Sequence, residues 1–161
     1  MFTDYPEETD MRVYVYLFAC IALGALLGSA RLSASEASLL QQAQARAEAG
    51  DIAEATGLYR QAIAAMPDSA EAHAGLGGML LVSAHYAEAI GQFQKAIGLQ
   101  AENHRAFIGL SVAYLHRGQY GPARAALTEA QRLAPAKAQE IAPIIAWIDR
   151  RQLSGQMPDH Q

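Results

Sequence analysis

The chain has 161 residues, of which 17% are charged and 7% aromatic, and its net charge is −4. That length allows about one domain, and a single cysteine, Cys20, excludes an intrachain disulfide and a cysteine-based zinc site. Residues 1–30 hold four acids (Asp4, Glu7, Glu8, Asp10) and one base, Arg12, so the remainder is nearly neutral and offers no basic surface for nucleic acid.

Alanine is frequent and β-branched runs are few, which points to an all-α chain because alanine has the best helix propensity. Residues 1–12 read as an N-terminal tail. Residues 13–30, Val13 to Ala30, contain no charge; as a helix they span roughly 27 Å, near the thickness of a bilayer core. Tyr14 and Tyr16 sit at the edge of this run, where amphipathic rings favour the headgroup level. Gly24 and Gly28 share one helix face, a spacing that lets membrane helices approach closely. The run is read as a single transmembrane anchor in the lipid bilayer. The alternative is a cleaved signal peptide starting at Met11, with Gly28-Ser29-Ala30 as the cleavage site. A short tail before the anchor favours export of the rest, placing it in the bacterial periplasm at the inner membrane. A cytoplasmic-facing domain and secretion after cleavage stay open. Residues 31–35 form a linker, and Ser35 is placed to cap the helix that follows.

Three similar stretches come next, 36–69, 70–103 and 104–137. Ala55, Ala89 and Ala123 are 34 residues apart, as are Tyr59, Phe93 and Leu127, and a period of that size indicates stacked units. In the first unit a helix runs to about Ala49, Gly50-Asp51 makes the turn with Asp51 as cap, and Ile52 to Met66 forms a second helix before Pro67. In the second unit the turn Ser83-Ala84-His85 lacks glycine, and Ala101 replaces the closing proline, which predicts weaker punctuation. The third unit has Gly118 and Pro135, with Pro122 in the first turn of its second helix, where the missing amide is tolerated. Residues 138–153 predict a capping helix. Ile141, Ile144, Ile145 and Ile148 form its packing stripe, Trp147 joins the packing, and Asp149, Arg150, Arg151 and Gln152 face water. Residues 154–161 read as a disordered tail.

The residues Leu76-Gly77, Leu80, Ala89-x3-Phe93 and Ala96 resemble the tetratricopeptide repeat, as do Leu110, Tyr114, Ala123-x3-Leu127, Ala130 and Pro135. Ala55-x3-Tyr59, Ala62 and Pro67 belong to the same pattern, while Leu39, His73 and Phe107 stand at its tryptophan place. The resemblance covers about residues 36–137. It implies antiparallel helix pairs stacked into a right-handed superhelix, with a concave face along the first helix of each pair. The expected architecture is therefore an N-terminal membrane helix, a three-repeat solenoid and a capping helix.

No P-loop, GxSxG or HExxH is present, and no two of the five histidines stand four residues apart. The chain is read as non-enzymatic, with no cofactor and no metal, and His73 as a packed core residue. By the resemblance, the concave face takes Leu40, Gln44 and Ala47 from the first unit. It takes Glu71, Ala74, Gly78, Leu81 and Val82 from the second, and Arg105, Ile108, Val112, Leu115 and His116 from the third. Such a face suits an amphipathic helix or an extended apolar segment of another protein. Arg105 and His116 are expected to orient a polar end. The places where chaperone-tail-binding members clamp a carboxylate hold Leu40, Gln44, Gly75, Arg105 and Gly109, and only Arg105 fits. The expected function is that of a membrane-anchored interaction module, a scaffold or assembly factor. The alternative is a permanent subunit of a membrane complex, in which Gly24 and Gly28 touch other membrane helices.

Overall fold

Glycine, proline and capping residues divide residues 38–154, the part of the chain that the computed structural model describes, into seven α-helices and one 3-10 turn, with no strand among these residues. Helix α1 covers 38–48. It is followed by α2 (Ile52–Ala65), α3 (Ala70–Val82), α4 (Tyr86–Leu99), α5 (His104–His116) and α6 (Tyr120–Leu133), then the turn Pro135–Lys137 and α7 (Ala138–Ser154). The expectations for the tail 1–12, the apolar run 13–30 with Gly24 and Gly28, the linker 31–35 and residues 155–161 lie outside the described residues. Among the described residues no helix is long and apolar enough to cross a membrane.

Short turns fold the helices back on one another as pairs. α3 packs on α4 and α5 on α6; α2 meets α3, α4 meets α5, and the first helices α3 and α5 lie side by side. Small residues make this approach possible. Ala55, Ala62, Ala89, Ala96, Ala123 and Ala130 are wholly buried on the second helices, and the buried Tyr59, Phe93 and Leu127 fill the gaps between pairs. Burial of such apolar surface contributes about 25 cal/mol per Å².

The second unit has the same turn as its neighbours although it lacks glycine. Ala84 has φ 61°, beside φ 83° at Gly50 and 69° at Gly118. A left-handed alanine is disfavoured by roughly 1–2 kcal/mol, so packing of α3 against α4 holds it there. Nor does Ala101 blur the end of α4: α2, α4 and α6 are each 14 residues long. The punctuation is therefore not weakened, because tertiary packing sets both boundaries.

Side-chain caps occur on the first helices. Ser69 Oγ accepts from the Ala72 amide at 3.2 Å, and Asn103 Oδ1 from the Ala106 amide at 3.1 Å. Asp51 stands at the N-cap of α2 but makes no capping bond; its carboxylate pairs with Arg46 at 3.3 Å instead. His73 is buried, with Nδ1 2.8 Å from Gln92 Oε1 and Nε2 3.0 Å from the Pro67 carbonyl, which ties α3 to α4 and to the preceding turn.

Helix α7 departs from the expected stripe. Ile141 and Ile148 are buried against Leu127 and Ala130, but Ile144 is 41% and Trp147 43% exposed. Each residue turns a helix by 100°, so one side of α7 meets α6 squarely; Ile144 falls on the flank beyond it, and Trp147, though exposed, reaches α6 through a T-shaped contact with the Tyr120 ring at 5.9 Å. Asp149 in turn faces α6, where it receives the Arg124 guanidinium at 2.6 Å.

Candidate functional site

The first helices α3 and α5 each align residues at intervals of about one helical turn on one face, the small Ala74 and Gly78 on one, Arg105, Gly109 and Val112 on the other. Side by side, those faces leave a trough. What lies beneath follows from two glycines. A methyl group at Gly75 would overlap the Tyr59 ring, and one at Gly109 would overlap the Phe93 ring. Each ring therefore passes from a second helix under the first helix of the next unit and forms part of the trough floor.

The result is a concavity of about 700 Å³. Its walls are Gln44 of α1, Glu71, Ala74, Gly75, Gly78 and Leu81 of α3, and Arg105, Ile108, Gly109 and Val112 of α5. Tyr59 and Phe93 line it from α2 and α4, and Gln100, Glu102, Asn103 and His104 form a polar rim at the turn into α5. Glu71 and Arg105 are exposed, and among the described residues neither is in a salt bridge. The Tyr59 phenol is pushed above its ordinary pKa of 10.0, first by burial and then by the Glu71 and Glu48 carboxylates, so it is a neutral donor at physiological pH.

Eight of the residues assigned to the concave face from the sequence meet here: Gln44, Glu71, Ala74, Gly78, Leu81, Arg105, Ile108 and Val112. Five lie elsewhere. Leu40 and Ala47 pack on the main core and Leu115 on the core shared with α7. Val82 is 65% exposed at the end of α3. His116 stacks on Tyr86, with ring centroids 4.5 Å apart and planes 3° from parallel. A first helix buries more than one side, so Leu40, Ala47 and Leu115 serve packing instead, while Val82 and His116 stand exposed at the ends of α3 and α5. The residues that sequence reasoning left out of the face are Tyr59, Phe93, the two glycines and the rim. A glycine stands 16 residues after an aromatic in both units, Tyr59 to Gly75 and Phe93 to Gly109, and that spacing is a signal for the floor.

Chemically the trough offers apolar area and hydrogen-bonding groups. Among the described residues no group of three metal-ligating side chains forms.

A model of the tetratricopeptide repeat matches residues 40–84 and 80–138. No curated protein matches the chain. Several solved structures share its fold. The type III secretion chaperone SycD of Yersinia enterocolitica, in complex with a peptide of the translocator YopD, is 16% identical with a TM-score of 0.68, over 71% of this chain and 92% of that one. The TPR2B domain of yeast Sti1, in a complex with pHsp70, is 20% identical with a TM-score of 0.68, over 72% and 97%. The first TPR of Spaghetti (RPAP3), bound to an HSP90 peptide, is 15% identical with a TM-score of 0.70, over 73% and 93%. At these identities the likeness is one of fold.

Proposed function

The chain belongs to the tetratricopeptide repeat family, and from that premise we propose that it is a non-enzymatic interaction module whose trough holds a segment of another protein. The observation that carries this reading is the concavity of about 700 Å³ between the first helices, within the size range of roughly 300–1,000 Å³ common for binding sites. Much of its wall is apolar, so apolar side chains of the segment gain by leaving water against Ala74, Gly78, Ile108 and Val112. Gln44, Gln100 and Asn103 at the edge supply amides for the segment's backbone. Arg105 supplies a charge for a carboxylate, without the lysine and asparagine of a full clamp. Solved relatives in fold that carry peptides support the reading by analogy.

The test is selection of peptides from a random displayed library on the full chain, followed by titration of the best binders against Val112→Glu. An unpaired carboxylate in an apolar trough is unfavourable. Affinity should fall about tenfold or more, the factor given by 1.4 kcal/mol. Peptides that bind Val112→Glu as well as the parent would remove the trough from the account.

A membrane tether is the companion proposal, supported by the uncharged run Val13 to Ala30. The module would then act as a scaffold or assembly factor at the bacterial inner membrane, on its periplasmic side. Retention of residues 13–30 in membranes washed at high pH supports the tether. A mature N-terminus at residue 31 would replace it with a cleaved signal.

A further inference from the structure

Helix α7 is in register with the first helices of the repeats. Ile144 stands 34 residues after Leu110, Glu140 after Ala106, and Trp147 after Ala113. In α5 that stripe is buried: Leu110 is 7% exposed, Ala106 and Ala113 0%. In α7 the same stripe is partly open, with Ile144 at 41% and Trp147 at 43% even though the Trp147 ring meets Tyr120 edge-on at 5.9 Å, while Ile141 and Ile148 pack on α6. α7 is thus the first helix of a fourth pair without a described partner. The sequence that follows does not continue the second-helix pattern, since Met157 stands at the alanine place and Pro158 comes next.

The open stripe has an order. Glu140, Ile144, Trp147 and Arg151 follow at steps of four, three and four, which puts them on one face. They read acid, apolar, apolar, base. Reversed about a point midway between residues 145 and 146, the stripe matches itself: Glu140 falls opposite Arg151 and Ile144 opposite Trp147. We infer that α7 is a self-association surface, on which a second copy of this chain lays its own α7 antiparallel about a two-fold axis. The contact repeats the geometry of the helix pairs, in which the second helix is also antiparallel to the first. Such an interface is isologous, each pairing occurring twice.

Both charged ends are positioned for it. Arg151 Nε donates to the Tyr120 hydroxyl at 2.8 Å, and its guanidinium lies 5.6 Å from the Tyr120 and Trp147 ring centroids. A guanidinium already held in place loses little freedom on meeting a carboxylate. Glu140 meets Lys137 at 2.8 Å in an exposed pair of the kind that exchanges easily. The surface is separate from the trough and does not rest on the peptide-binding reading.

The test is the molar mass of the full chain in a mild detergent by sedimentation equilibrium, with helicity followed by circular dichroism. The parent should dimerise. Glu140→Arg and Arg151→Glu should each weaken the dimer about tenfold or more, since each sets like charges opposite one another twice. The double variant should regain it. A monomeric parent, a dimer indifferent to either single change, or a double variant of native helicity that stays monomeric would each overturn the inference. Should Arg151→Glu lose helicity through its Tyr120 bond, Ile144→Glu decides: a monomer of native helicity supports the inference, and a persisting dimer overturns it.

Discussion

The Phe93 ring occupies the space that any side chain at Gly109 would need. One residue belongs to the second helix of one unit, the other to the first helix of the next, so their contact joins the units and shapes the trough floor at once. The same relationship holds between Tyr59 and Gly75. Stability and surface are therefore coupled at these two points.

Gly109→Ala should destabilise the fold by about 1–3 kcal/mol, the usual range for overpacking a filled core. Gly91 is the control, because nothing lies within 4 Å of a methyl group placed there. Gly91→Ala should stabilise by roughly 0.5–1 kcal/mol through helix propensity alone. Urea unfolding of both variants checks the opposite signs.

Ala84→Gly should raise stability by about 1 kcal/mol. Alanine is held at φ 61°, a conformation that glycine adopts without a Cβ clash. The midpoint of thermal unfolding should rise, and a fall would mean that the turn is not left-handed in solution.

The α6–α7 contact should weaken in acid. Asp149 is held below its usual pKa of 3.8, first by the hydrogen bond from Arg124 and also by its charge. A carboxyl whose folded pKa is depressed stabilises above its unfolded value and loses that contribution as pH falls through the folded one. Below about pH 4 the amides of α7 should exchange faster while those of α3 keep their protection. Asp149→Asn should remove the pH dependence of that difference.

At the alkaline end the sign reverses. Tyr59 has a folded pKa above 10.0, from burial and then from Glu71 and Glu48. Its contribution is complete below the unfolded value and fades as pH rises past it. Tyr59→Phe should lose less stability between pH 9 and about pH 11 than the parent does.

The period of 34 residues carries most of the fold on its own, because packing requires a small residue and a large one at the same places in each unit. Helix ends were readable where proline or glycine marked them. The turn at Ser83-Ala84-His85 was also placed correctly; what was misjudged there and at Ala101 is the strength of the punctuation, because tertiary packing, not local chemistry, holds the boundary. The trough was readable where a first helix shows one face, as at Ala74, Gly78, Ile108 and Val112. It was missed at Tyr59 and Phe93, whose side chains cross from one unit to the next and are flagged only by the glycine 16 residues further on. Nor did periodicity alone separate Ile144 from Ile148, since only one side of α7 packs on α6.

The central claim is that the trough, not the outer surface, is where another protein is held. A photoreactive residue placed at Val112 in the trough, and another at the exposed Lys95 on α4, test it in cells that make the full chain. The account predicts a discrete cross-linked partner from Val112, lost on adding Ile108→Glu, and none from Lys95. The same partner captured equally from both positions, or from Lys95 alone, would contradict it.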